Sequence, residues 1–329
     1  MLDDKVKDGG KSMEISGVRG KLPDEFIEIL YTLYSPITVD GILRSYKNGR
    51  KTTFRVNTLK ASVKEVLEDM RKGGIKFSNS SLMREAFIVS KGGERKISKL
   101  SSYKEGKIYM QNLSSMLPPL FLDLEKDINI LDMCAAPGSK TTEMAAMLNN
   151  RCKIIANEID DIRRERLKYN VKKLGASCIE VIGGDGRRLG ALFPEAFDRV
   201  LLDAPCSGEG TITMKEPRTY KGWNKTIVRR HSKLQKELLE SGINALKPGG
   251  ILVYSTCTIS PEENEEVIDE IINKYKNLRI LELNFTVKNS INGITKYKGS
   301  TYNRNLSKAL RVIPDEYMEG FFLCKIRKK

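Results

Sequence analysis

The chain has 329 residues, 40% hydrophobic and 30% charged, which is length for about two domains and an apolar content well above that of disordered chains. Its 57 Lys and Arg against 42 Asp and Glu give a formal net charge of +15, which favours a polyanionic partner, nucleic acid first among them. No apolar run is long enough to cross a bilayer, the first twenty residues lack a signal-peptide core, and six cysteines contain no CxxC pair. A cytoplasmic monomer with no membrane partner and no metal is therefore expected.

Residues 1–22 are polar and glycine-containing, the composition of a flexible tail. Phe26, Ile27, Leu30, Leu33 and Tyr34 then recur at helical spacing, and after Pro36 the stretch FRVNTLK (54–60) alternates like a strand. Ser62 predicts a helix N-cap, with Glu65 completing a capping box and Gly73 and Gly74 closing the helix; AFIVS (86–90) reads as another strand. These elements form a small α+β unit over residues 23–125.

From residue 126 onward strands and helices alternate. INILDM, KIIANE, CIEVIG, FDRVLLD and GGILVYSTC read as strands, separated by helices over 141–148, 161–174 and 231–246, and a helix over 261–275 follows the fifth. LRILEL and GFFLCKI add two strands. Repeated βα units of this length predict an α/β fold with a doubly wound, mostly parallel sheet of seven strands.

In open α/β sheets ligands bind beyond the carboxyl ends of the strands. DMCAAPGSKT follows the first strand, with small residues and Gly138 that let a ligand approach the backbone. Neither GxGxxG nor GxxxxGK[ST] occurs, which argues against a nicotinamide enzyme and an ATPase. The second strand ends at Glu158, where an acid accepts from ribose hydroxyls; Asp185 follows the third strand and Asp203 ends the fourth. Cys206 and Cys257 follow the fourth and fifth strands on the same edge, where a thiolate would be a strong nucleophile; Cys152, Cys178 and Cys324 read as small buried hydrophobes.

In these motifs, DMCAAPGSKT, FDRVLLDAPCSGEG, LQKELLESGINALKPGG, LVYSTCT and PEENEEVI, the sequence resembles the S-adenosylmethionine-dependent RNA cytosine-5 methyltransferases, and most the bacterial small-subunit ribosomal RNA branch. The resemblance runs from about residue 54 to the end of the sequence. It implies a Rossmann-like class I methyltransferase domain over 126–329 and an RNA-recognition-like unit over 23–125. It further implies that Cys134, Ala135, Ala136, Pro137, Gly138, Ser139 and Lys140 form the cofactor loop, that Glu158 holds the ribose, that Asp185 lies near adenine, and that Asp203 sits between cofactor and target base. Cys257 matches the family nucleophile and Cys206 the Pro-Cys cysteine that helps release product.

The chemistry requires such parts, because carbon five of cytosine is a poor nucleophile until a thiolate has added to carbon six. The partner implied is RNA, ribosomal first and transfer second. Three stretches would hold it: 41–64, with seven Lys or Arg and no acid; 286–314, with six and no acid; and 211–236, with eight, one acid, Tyr220 and Trp223 as stacking platforms. His231 reads as a helix-face residue. The sequence ends just after its last strand, so no C-terminal RNA-binding domain is expected. Two rivals remain at this point: a catalytically silent RNA-binding assembly factor, and an amino-group methyltransferase, which would place [DN]PP[FY] where this chain has DAPC.

Overall fold

The computed structural model describes residues 16–91 and 93–329, so the first fifteen residues of the expected tail lie outside the described residues. Beyond them, Val18 and Leu22 are buried with helices α1 (Asp24–Leu33) and α2 (Pro36–Asn48). Ser35 caps α2, its Oγ accepting from Thr38 N, and Pro36 occupies a first-turn position where a missing N–H costs nothing. The apolar faces of both helices, among them Phe26, Leu30, Leu43 and Tyr46, pack on Ile212, Tyr220 and Ile259, which belong to loops of the larger unit.

A four-stranded antiparallel sheet follows, in the order β2 (Lys76–Asn79), β3 (Ala86–Lys91), β1 (Thr53–Val56), β4 (Ile108–Met110). Helix α3 (Val63–Lys72) buries Val66 and Met70 against Phe54, Phe87 and Ile108 of this sheet. Ser62 Oγ accepts from Glu65 N at 3.2 Å, but the Glu65 carboxylate pairs with Lys107 at 2.9 Å instead of turning back to the cap. Buried Asn57 donates to the carbonyls of Gly106 and Leu174, 2.8 Å each, and so ties the small sheet to the larger unit.

The large sheet is built from β5 (Asn129–Asp132), β6 (Lys153–Asn157), β7 (Ile179–Ile182), β8 (Phe197–Asp203) and β9 (Leu246–Thr256), which run parallel in the order β7-β6-β5-β8-β9. Helices α4 (Ser139–Met147), α5 (Asp161–Leu174), α6 (Lys225–Ala245) and α7 (Glu265–Lys274) connect or flank them. The strand order reverses at β5, which opens the crevice in which such sheets bind ligands.

The sheet has nine strands, not the seven expected. β10 (Leu278–Leu281) and β15 (Phe321–Lys328) join as foreseen, β15 antiparallel to β9, but β11 (Ser290–Asn292) and β14 (Leu310–Val312) extend the edge beyond β15. β12 (Lys296–Tyr297) and β13 (Ser300–Thr301) form a separate ribbon between them. The two extra strands escaped detection because three residues are too few to show alternation, and because β14 carries Arg311 where an apolar residue would be looked for.

Arg311 is 2% exposed and bridges to the buried Glu265 while its Nη1 donates to the carbonyl of Ile259 at 2.8 Å. Removing one partner of a buried ion pair strands the other charge. Arg311→Ala is therefore expected to cost about 3–5 kcal/mol, read as a lowered urea midpoint at unchanged slope; a loss below about 1 kcal/mol would show that the pair is not sealed from water.

Helix α6 begins six residues earlier than expected. Asn224 caps it, its Oδ1 accepting from Ile227 N at 3.0 Å, and the polar KTIVRR turn that follows hides the start from an apolar-periodicity reading. The helix expected over 261–275 is instead a 3-10 turn over Pro261–Glu263 followed by α7; between them Asn264 turns aside to bond Thr256 Oγ1 at 2.6 Å and the carbonyl of Thr258.

Candidate active site

Five strand-end segments converge at the crevice. After β5 the chain turns through Cys134 to Gly138, and Gly138 (φ 99°) starts α4; a Cβ there would lie 2.8 Å from Leu167 Cδ1, so only glycine fits. β8 and β9 pair in register with Asp203 opposite Ser255, which places Ser255 Oγ 2.7 Å from Asp203 Oδ1. Asp203 Oδ2 accepts from Lys140 Nζ at 2.7 Å, and the same ammonium donates to Ser115 Oγ at 2.7 Å. Burial would lower the pKa of Lys140, but the charge and hydrogen bond of Asp203, aided by Cys257 and Asp132, more than offset it and leave the value raised.

The loops after β8 and β9 are laced together. Gly210 N donates to the carbonyl of Cys257 at 2.9 Å, and the buried Glu209 carboxylate accepts from Ile259 N, Ser260 N, the hydroxyls of Thr258 and Ser260, and Trp223 Nε1. Ser207 N and Gln235 Nε2 both bond Glu263. This lacing brings Cys206 Sγ to 3.2 Å from Cys257 Sγ. Its hydrogen bond with Cys257, and then burial, push the Cys206 thiol well above the ordinary range.

Three cavities run in a row past these groups. The first, of about 530 Å³, is lined by Asn157, Glu158, Arg163, Asp185, Arg187 and His231 among others. The second, of about 190 Å³, is lined by Asp132, the loop residues Ala135, Ala136, Pro137, Ser139 and Lys140, and Asp203, Cys257, Glu319 and Phe321. The third, a groove of about 620 Å³, runs between Arg50, Lys51, Gln111, Thr211 and Lys215. Cys134 lines the first two, and Glu319 lines the second and third.

The sequence signature of a family described as 16S rRNA methyltransferase RsmB/F spans residues 119–327. The chain belongs to this family. It is similar to ribosomal RNA small subunit methyltransferase F of Serratia proteamaculans, 33% identical over 93% of this chain and 63% of the relative, and to that of Vibrio campbellii, 36% identical with the same coverage. The chain thus spans less than two thirds of the length of these curated relatives. Among solved structures it resembles a methyltransferase homolog protein from Pyrococcus horikoshii, with 34% identity, TM-score 0.78, and 88% of this chain and 90% of that one covered. NSun6 from Pyrococcus horikoshii with SFG, at 24% identity and TM-score 0.76 over 90% and 95% of the two chains, shares the fold.

For this member of the family, most residues singled out from sequence meet around the crevice. Glu158 and Asp185 line the first cavity, Cys257 and Asp203 the second; Cys206 reaches the site through its contact with Cys257. The Asp185 carboxylate is already taken up by Arg187, which holds it below the ordinary carboxylate range. Sequence reasoning missed Asp132, Glu319 and Phe321. Asp132 lies inside a quoted motif, but nothing flagged it; Glu319 and Phe321 sit more than sixty residues past the last cysteine of the site, and no local pattern announces them.

The charged stretches divide differently. Arg55 is fully buried, bonded to Gln111 Oε1 and Thr142 Oγ1, and Gln111 in turn bonds Glu143, whose carboxyl burial pushes up to about 7. Tyr220 is buried, and the part-buried Trp223 packs on Phe26 at 5.4 Å while donating to Glu209, so both expected stacking platforms are engaged with the protein itself. Arg311 is likewise internal. What remains toward the groove is Arg50, Lys51 and Lys215. His231, expected on a helix face, lies on α6 and lines the first cavity, with burial lowering its pKa.

Proposed function

We propose that the chain is an S-adenosylmethionine-dependent RNA (cytosine-5)-methyltransferase of the cytoplasm, with ribosomal RNA as its substrate. The observation that carries this reading is the pair of sulfurs 3.2 Å apart beside a cavity that also holds the Asp203–Lys140 pair. An amino-group methyltransferase has no use for two thiols here, and a silent assembly factor has no use for a buried ammonium bonded to a carboxylate beside them.

The cofactor fits the first two cavities. Two buried carboxylate oxygens make no hydrogen bond there: Glu158 Oε2 in the first, suited to a ribose hydroxyl, and Asp132 Oδ1 in the second, suited to an ammonium group. Bound across them, S-adenosylmethionine supplies an electrophilic sulfonium methyl group. Glu158→Ala removes a charged acceptor, so cofactor affinity measured by calorimetry is expected to fall about 10- to 100-fold; an unchanged Kd would mean that the ribose lies elsewhere.

The target cytosine enters the second cavity from the groove, unstacked at a cost of a few kcal/mol that is least for an unpaired nucleotide. The Cys257 thiolate adds to carbon six, forming an S–C bond. The Lys140 ammonium, held by Asp203, lines the same cavity as Cys257, and the Asp203–Lys140 pair stands where electron density moves to ring nitrogen three. Carbon five, now enamine-like, takes the methyl group; loss of its proton and expulsion of Cys257 restore the aromatic ring.

Bisulfite sequencing of total RNA from cells with and without the gene tests the reading. A 5-methylcytosine in small-subunit ribosomal RNA that vanishes with the gene, and that the purified protein restores with labelled cofactor, is the expected result. Unchanged methylation maps together with no transfer in vitro would refute it.

A further inference from the structure

Among the described residues Glu319 alone lines both the second cavity and the groove. Its backbone is anchored, the carbonyl accepting from Ser114 Oγ at 2.8 Å and the N–H donating to Asn112 Oδ1 at 3.4 Å. Among the described residues its carboxylate makes no hydrogen bond or ion pair, and the part-buried side chain opens on both cavities. Burial raises its pKa, opposed by the charges of Arg50 and Lys140. A carboxylate open to two cavities and without a protein partner is free to accept from a ligand donor.

If the base occupies the second cavity and the strand lies in the groove, the sugar of the target nucleotide must sit at their junction. Glu319 is the side chain that faces it. The ribose differs from deoxyribose there by one hydroxyl, a donor where deoxyribose has none. We propose that Glu319 accepts a hydrogen bond from the 2′-hydroxyl of the target cytidine and thereby makes the site selective for ribose. Arg50 flanks the same junction: its guanidinium donates to the carbonyls of Gly210 and Met318, fixing the loop after β8 against the segment before β15 that carries Glu319. The backbone that carries the carboxylate is thus held in place before substrate arrives, which lowers the ordering cost on binding.

This inference rests on the RNA methylation reading, and the test separates the two. A synthetic RNA containing the cytidine mapped by bisulfite sequencing is made with ribose or 2′-deoxyribose at that single nucleotide, and kcat/KM is measured with labelled cofactor for both. The wild-type chain is expected to prefer ribose about 10- to 100-fold, the range for a hydrogen bond to a charged group. In Glu319→Ala the ribose substrate slows and the preference falls to near unity; in Glu319→Gln, whose amide oxygen still accepts, an intermediate preference returns. Because each preference is a ratio within one variant, partial misfolding cancels. A wild-type chain indifferent to the 2′-hydroxyl, or a preference that survives in Glu319→Ala, overturns the inference while leaving methylation intact. No transfer to any RNA by the wild-type chain sinks the methylation reading itself, and this one with it.

Discussion

Cys257→Ala is expected to abolish methyl transfer, with a fall of at least about ten-thousand-fold in kcat, the order seen when the nucleophile of a covalent mechanism is deleted. Cofactor affinity should be largely unchanged, because the carboxylates assigned to the cofactor, Glu158 and Asp132, are untouched by the substitution. Without the sulfur, carbon six is never attacked and carbon five stays unreactive, whatever the quality of the remaining site. The split between lost transfer and retained cofactor binding distinguishes a chemical role from a structural one. Turnover within tenfold of wild type would refute the assignment and would move attention to Cys206.

The second large effect is expected of Cys206→Ala, as a covalent protein–RNA adduct that accumulates and migrates slowly on a denaturing gel. The reason lies in what holds the Cys206 thiol protonated in the free protein: chiefly its hydrogen bond with Cys257, then burial. Once Cys257 is bonded to the ring its sulfur is a thioether, a poor acceptor, and that hydrogen bond is lost, while burial still favours the thiol. Cys206, after releasing its own proton to solvent, takes the proton from carbon five as a thiolate, and Cys257 is then expelled as a thiolate. With alanine there, methylation proceeds to the adduct and stalls. The band should vanish with ribonuclease and in the Cys206→Ala/Cys257→Ala double variant. Lost turnover without any adduct would count against the release role.

Glu158→Ala and Glu319→Ala bear on different ligands, so their effects should separate: the first shifts cofactor Kd, the second the preference between ribose and deoxyribose. Cavity adjacency gives the reason, since Glu158 opens only on the first cavity and Glu319 only on the second and third.

The amino-acid sequence by itself determined the alternation of strands and helices, the acids at the ends of β6 and β8, the glycine turn before α4 and the two cysteines of the site. Each depends on short-range rules: periodicity, backbone permissiveness at Gly138, and the tendency of parallel strands to present their carboxyl ends together. Only the tertiary structure decided which charges are available. Arg55 and Arg311 look like surface contacts in a basic sequence, yet each is bonded inside the protein, because a buried polar group must find a partner and the partner stands elsewhere in the chain. Glu319 shows the converse. Nothing near it in sequence distinguishes it, and it becomes notable because folding sets it between two cavities with no partner of its own. Pairings of this kind join residues up to about two hundred and seventy positions apart, as Arg50 with Met318 does, and no local pattern encodes a contact at that separation.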